Sequence, residues 1–258
     1  AINSYALKQS RAQLLLEDYI KRNPYSPYRS RVCFMLGRIR YENEKYKHAL
    51  TWYDEVKEKD LIPQERLEFL YTKAYSLLEM KKYAEAKKIF NSLSNEKNEY
   101  SNVATYYSAY IDYLQKNNKS ALNGFLKIEE TEEYKDIVPY YIVQIYYEEK
   151  EYKKSLEHGK KMLESNPNNK NNSEVYRIMG ECAYRENVFN EAIVYFGKYE
   201  KLAKKLQRNS SYMYGMSFFQ EKDYVNAVKY LTRATTPEDS IAQNACDIQV
   251  EIEERVET

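Results

Sequence analysis

The sequence predicts an all-α solenoid in which one helix-pair module recurs about six times. Three observations carry that prediction. Gly and Pro are scarce, six each in 258 residues, and the apolar residues recur at helical rather than alternating spacing in a chain that is 31% charged. Very small residues return in phase at two places in the module, every 34 to 37 residues. An aromatic or long apolar stripe follows the second small place at the i, i+4, i+7 offsets of a buried helix face.

The first element, residues 1–29, reads as the second helix of a partial module. Ala12, Leu16, Tyr19 and Pro24 fit the last four landmarks of the repeat. The chain begins at Ala1 and not at Met, so the expectation is that upstream residues, a signal sequence or further chain, were removed. Six modules follow at 30–66, 67–101, 102–135, 136–172, 173–207 and 208–236, with position 1 at Ser30, Leu67, Asn102, Asp136, Ser173 and Arg208.

In each first helix, A, position 8 holds Gly37, Ala74, Ala109, Val143, Gly180 or Gly215. Gly inside a helix costs about 1 kcal/mol relative to Ala, so three in phase imply a backbone approached too closely for a larger side chain. In each second helix, B, position 20 holds Ala49, Ala86, Ala121, Ser155, Ala192 or Ala227, and is expected to face position 8. Tyr46, Tyr83, Asn118, Tyr152, Phe189 and Tyr224 at position 17 open the B stripe. Tyr53, Phe90, Phe125, Gly159, Phe196 and Leu231 at position 24 continue it, and Val56, Leu93, Ile128, Met162, Tyr199 and Ala234 at position 27 close it.

The fourth module departs from the plan, with Pro139 early in helix A, Val143 at the small place and Gly159 at the aromatic one. Pro139 is tolerated if the helix starts near Val138. Looser packing is expected there, and the Asn-rich stretch Ser165 to Asn172 is expected to form a flexible joint. The last element, 237–258, is a capping helix or the start of a seventh module. Thr236 is its expected N-cap, Pro237 lies in its first turn, and Ile241, Ala245, Ile248, Ile252 and Val256 form its apolar stripe.

Leu36-Gly37, Met179-Gly180, Tyr46 with Ala49, and Phe189 with Ala192 and Phe196 resemble the tetratricopeptide repeat (TPR), a 34-residue pair of antiparallel helices. The resemblance covers nearly the whole chain and implies a right-handed α-α superhelix of about six full repeats with terminal half-repeats. No module has Trp at position 4, and only Pro167 stands at position 32, which puts helix ends in doubt rather than the fold. The segment Leu14 to Ile20, followed by Asn23-Pro24-Tyr25-Ser26-Pro27-Tyr28, is similar to junctions in TPR proteins of Gram-negative envelopes. That likeness implies a periplasmic or outer-membrane-associated protein; without it the chain would be placed in the cytoplasm.

The resemblance also implies that the A helices line a concave surface, and positions 5, 9 and 12 form the exposed stripe there. The candidate partner-binding residues are Phe34, Arg38, Tyr41, Tyr71, Tyr75, Tyr106, Tyr110, Tyr113, Tyr140, Tyr147, Arg177, Tyr184, Tyr212 and Phe219. Tyrosine combines a broad apolar face with a hydroxyl and loses little rotamer entropy, which suits a binding surface. The same rings also serve to pack neighbouring A helices, so about half are expected to be structural. Charges on this face, such as Arg177 and Glu181, read first as solvated. TPR domains that clamp a chaperone carboxylate carry Lys at position 5 and Asn at position 9, and neither occurs here.

Forty basic against 39 acidic residues leave a net charge of +1, so no overall field draws nucleic acid or an anionic membrane. No apolar run is long enough for a membrane span. Cys33, Cys182 and Cys246 are too few and too far apart for a disulfide framework or zinc site, and the first two read as buried thiols. His48 and His158 fall on different B helices, expected to be solvated, and Glu129-Glu130 with Glu132-Glu133 read as a solvated acidic loop. No catalytic motif is present, so no catalytic residue, metal or cofactor is assigned and a non-enzyme is expected. The leading functional reading is a scaffold that binds a protein partner, as a peptide or helix, in the tyrosine-lined groove. The alternatives are a glycan-binding envelope module, or a structural segment of a longer array that stacks end to end into oligomers.

Overall fold

A computed structural model describes residues 2–203, 205–236 and 239–257; side chains are described from 11 to 255, except at residue 204 and positions 237–238. Every regular element among the described residues is helical. The chain divides into two compact units, 1–124 and 125–258. The first holds α1 (Ile2–Arg22), α2 (Arg29–Glu42), α3 (Tyr46–Tyr53), α4 (Pro63–Glu79), α5 (Tyr83–Ser94) and α6 (Ser101–Leu114). The division falls inside α7 (Asn118–Leu126). The second unit continues with α8 (Val138–Glu148), α9 (Tyr152–Ser165), α10 (Asn172–Arg185), α11 (Phe189–Leu202), α12 (Arg208–Gln220), α13 (Tyr224–Leu231) and α14 (Ser240–Glu257).

Within each unit consecutive helices pack as pairs, α2 on α3 and α4 on α5 in the first, α8 on α9, α10 on α11 and α12 on α13 in the second. Every B helix begins at its position-17 residue, from Tyr46 to Tyr224. All six position-20 residues are fully buried, including Ser155, whose hydroxyl donates to the Val143 carbonyl at 3.0 Å. Tyr53, Phe90, Phe125, Phe196 and Leu231 at position 24 are likewise fully buried, each burial stabilising its module by roughly 1.5–3 kcal/mol. Helices α3, α7 and α13 are only eight or nine residues long and stop before position 27, so the full-length B stripe exists as one helix only in α5, α9 and α11.

Where position 8 is glycine, it seats the large side chain at position 24. A Cβ on Gly180 would come within 2.7 Å of the Phe196 ring, a Cβ on Gly37 would overlap Tyr53, and one on Gly215 would meet Leu231 at 2.8 Å. In the last, position 20 also presses in, through the Ala227 carbonyl at 3.1 Å. The fourth module inverts this arrangement. Gly159 replaces the ring, and the space it leaves is taken by Met179, whose Sδ would lie 2.8 Å from a Cβ there. Val143 and Met179 are both fully buried in one core cluster, so the expected loose packing is replaced by an exchange of volume between positions.

Asn166 to Asn172 is closed by its own amides, contrary to the expectation of a joint. Asn166 and Asn169 donate to the Asp136 carboxylate and carbonyl at 2.7 and 2.8 Å, and Asn172 donates to the carbonyls of Asn166 and Pro167. The core runs past the loop from Leu156 and Met162 to Val175 and Met179. Pro139 occupies the first turn of α8, where its missing N–H is harmless.

All six A helices of the full modules end alike. Position 15 is left-handed in each: Glu44, Lys81, Lys116, Lys150, Asn187 and Lys222 have φ between 57° and 62°. The N–H of that residue and of the next fold back onto the helix, as in Lys81 to Leu78 and Lys82 to Leu77, both 2.8 Å. This pair of bonds satisfies carbonyls that the helix end would otherwise leave open. At the far end α14 buries Ala242, Ala245 and Ile252 against the last module and turns Gln243, Asn244 and Asp247 outward. Asp239, not Thr236, caps it, accepting from the backbone of Ile241 and Ala242 at 2.9 and 3.1 Å. Pro237 and Glu238, and the side chain of Val256, lie outside the described residues.

Candidate partner-binding surface

The A helices of the first unit bring most of their candidate tyrosines into one connected set. Tyr41 meets Tyr75 edge-on at 5.7 Å, Tyr75 meets Tyr107 at 5.3 Å, Tyr107 meets Tyr106 at 5.2 Å, and Tyr106 stacks on Tyr110 at 6.0 Å with planes 4° apart. Tyr71 lies alongside Tyr75 and stacks on Tyr100 at 5.1 Å. Edge-to-face and offset pairs of this kind add about 0.5–1.5 kcal/mol each beyond their burial. All of these rings are half-buried, and Tyr113 is too, with Lys116 Nζ 5.6 Å from its ring.

Sequence reasoning omitted Tyr46, Tyr100 and Tyr107, which complete the set. Tyr46 touches both Tyr41 and Tyr75 at about the same separation, 6.0 and 5.8 Å. Its place at the start of helix B reads as core, and Tyr107 lies one residue beside the stripe of positions 5, 9 and 12. Phe34 does not belong to the set. It is 2% exposed and packs edge-on against Phe69 at 6.2 Å, so it is core and offers no surface. Arg38 stays half-exposed between Glu42 at 3.7 Å and Glu68 at 3.4 Å.

Burial governs the hydroxyls of this set. Desolvation, then the neighbouring Glu79 to which it donates, pushes Tyr75 up to about 12. Burial raises Tyr41, Tyr46, Tyr71 and Tyr100 as well, and Tyr41 shares a hydrogen bond with Tyr71. The rings are therefore neutral at physiological pH.

In the second unit the stripe is a polar network rather than a ladder. Tyr147 donates to Glu181 at 2.5 Å, Ser210 donates to the same carboxylate at 3.1 Å, and Arg177 binds it at 2.5 Å while gripping Glu174 with two further nitrogens at 2.6 and 2.9 Å. Glu181 is 4% exposed and the Arg177 side chain 13%, which corrects the expectation of solvated charge. Burial alone would lower Arg177, but the two carboxylates outweigh it and hold the guanidinium above its ordinary range. Burial and Glu181 push Tyr147 up to about 12. Tyr140 accepts from Gln144 at 3.0 Å, Tyr184 packs on Phe189, and Tyr212 is half-buried between two core clusters. Phe219, at 9% exposed, is core.

The remaining candidates fall away from these faces. His48 is exposed; His158 is not, for its ring rests 5.2 Å from Tyr146 and its Nδ1 lies 3.7 Å from Glu129. Glu130 and Glu132 are paired with Lys161 and Lys135. Cys33 and Cys182 are buried thiols, raised by desolvation, Cys182 to about 12, and Cys246 is exposed. Among the described residues no three His, Cys, Asp or Glu side chains gather as a metal site, and no helix is long and apolar enough to cross a membrane.

Helix pairs repeated in register, most of them seating a large B-helix side chain on a small A-helix residue, define a helical-repeat protein. Residues 67–94, the second module, match the tetratricopeptide-repeat family model. Among solved structures the chain is similar to the C-terminal part of a TPR repeat-containing protein from Cytophaga hutchinsonii, with TM-score 0.64, 17% identity, and 92% of this chain and 94% of that one covered. It is also similar to a tetratricopeptide repeat protein from Parabacteroides merdae, with TM-score 0.53, 15% identity, and coverage of 95% and 92%. The MamA protein of Desulfovibrio magneticus RS-1 shares the fold at TM-score 0.55 and 14% identity, over 67% and 97% of the two chains. A comparison with curated proteins finds no match. Residues 67–94 thus carry a tetratricopeptide repeat, and the solved structures share the helical-repeat fold of the chain as a whole.

Proposed function

We propose that this chain is a non-catalytic scaffold that holds an extended or helical segment of a protein partner against its A-helix faces, and that it works in the cell envelope. The connected tyrosines of the first unit carry the reading. Tyr41, Tyr71, Tyr75, Tyr106 and Tyr110 are half-buried rings from three successive modules, fixed by ring-to-ring contact, so they present a broad apolar area at small entropic cost. A partner segment would cover their remaining surface and use their hydroxyls for register. The envelope part rests on the junction from Leu14 to Tyr28 and its likeness to envelope TPR proteins.

The test compares retention of proteins from an envelope extract by the native chain and by a Tyr106→Ala/Tyr110→Ala variant whose helicity is checked by circular dichroism. A protein held by the native chain and released by the variant is the expected result. Equal retention by both would remove the tyrosine face as the binding surface, and retention of polysaccharide instead of protein would replace this reading by glycan binding. Cell fractionation that finds the chain only in cytosol would refute the envelope placement.

A further inference from the structure

The charged side chains acting on Tyr46, Tyr75 and Tyr100 in the tyrosine set of the first unit are carboxylates. Glu79 accepts from Tyr75 and acts on Tyr46, on which Glu44 acts as well; Glu68 and Glu99 act on Tyr100, the ring stacked on Tyr71. Glu44, Glu79 and Glu99 are exposed and Glu68 is half-exposed. The side chain that donates to Glu99 is Gln64, which is neutral and brings no counter-charge. The guanidinium beside the set is Arg38, and two carboxylates, Glu42 and Glu68, already meet it. The neighbouring Arg31 is matched by Glu65 at 2.6 Å. Aromatic faces carry negative potential of their own, which draws ammonium and guanidinium groups. Rings and carboxylates therefore act in the same direction. The second unit repeats the balance by itself, since Glu174 and Glu181 together outnumber the single Arg177 that they bind beneath Tyr147.

We infer that the partner segment taken by the tyrosine face of the first unit is cationic, a stretch of chain whose Lys or Arg side chains lie over Tyr71, Tyr75 and Tyr100 and reach Glu68, Glu79 and Glu99. This rests on the interaction reading above and narrows it to one chemistry. An acidic segment would set like charges against these carboxylates, and a neutral one would leave Glu79 and Glu99 without counter-charge. The net charge of the whole chain, +1, says nothing of this local balance.

Three fluorescent peptides of equal length and equal tyrosine content test the inference by anisotropy against the whole chain: one alternating Lys and Arg with small residues, one with Glu at those places and one with Ser. The Lys/Arg peptide is expected to bind about tenfold more tightly than the Ser peptide at low salt. Its advantage should shrink once ionic strength reaches physiological values, where the screening length is about 8 Å. A Glu68→Gln/Glu79→Gln/Glu99→Gln variant keeps the shapes and one acceptor oxygen at each site and should lose the preference, each carboxylate contributing about two- to fivefold. Equal or tighter binding of the Glu or Ser peptide would overturn the cationic assignment and leave the interaction reading intact. Preference unchanged in the triple Gln variant would overturn the assigned residues, and failure of every peptide to bind the native chain would overturn both readings.

Discussion

Replacing the left-handed lysines at the helix turns by glycine should stabilise this protein. Lys81, Lys150 and Lys222 hold φ of 58°, 60° and 62°, a region that costs an L-residue roughly 1–2 kcal/mol and glycine nothing. Glycine gives back about 0.5–1 kcal/mol through its greater freedom in the unfolded chain, so each Lys→Gly change should gain about 0.5–1 kcal/mol. These three side chains are exposed. The three turns are separate, so the triple variant should gain about 2 kcal/mol. The assay is urea unfolding followed by circular dichroism, with the midpoint rising at unchanged slope. Lys→Ala at the same sites is the control. Alanine suffers the same left-handed cost, so it should leave stability within about 0.5 kcal/mol of the parent. Glycine variants no more stable than the alanine ones would refute the claim that these turns are strained.

Two further outcomes follow from packing and burial. Gly180→Ala should destabilise the second unit: the added methyl would sit 2.7 Å from the fully buried Phe196 ring, an overpacking of about 1–3 kcal/mol that outweighs the roughly 1 kcal/mol gained in helix propensity. Urea unfolding of that variant would show a lowered midpoint. Stability should also fall as pH rises above about 10, where tyrosines of the unfolded chain ionise. Tyr75 and Tyr147, pushed up to about 12, keep their protons in the folded chain. Their raised values contribute stability that is complete below about 10 and lost on approaching 12. Tyrosine absorbance and helicity recorded through an alkaline titration should change together; full ionisation of all tyrosines near 10 with helicity unchanged would contradict the burial of these hydroxyls.

The helical-repeat fold and nearly every helix were legible in the residues because the signals are local and repeated. A small residue at position 20 and an in-phase helix start at position 17 recur six times and a ring seven positions into helix B four times, so exceptions such as Gly159 and Leu231 cannot hide the period. Turn chemistry was not legible. The left-handed position 15 carries Glu, Lys or Asn and never Gly, and only the backbone reveals it.

What the sequence by itself determined is therefore the module and its phase, since both follow from side-chain volume and hydrophobic spacing along one chain. Which partner each residue meets was decided by tertiary structure. Phe34 and Tyr71 both stand at position 5, yet one is core and the other joins a half-buried tyrosine set, because the next module presents Phe69 to the first and Tyr107 to the second. Arg177 and Glu181 looked like surface charge until α12 brought Ser210 against them. Met179 fills the space at Gly159 from the following module. In each case the deciding neighbour lies some twenty to thirty-five residues away, and its distance and angle arise only when helix pairs stack.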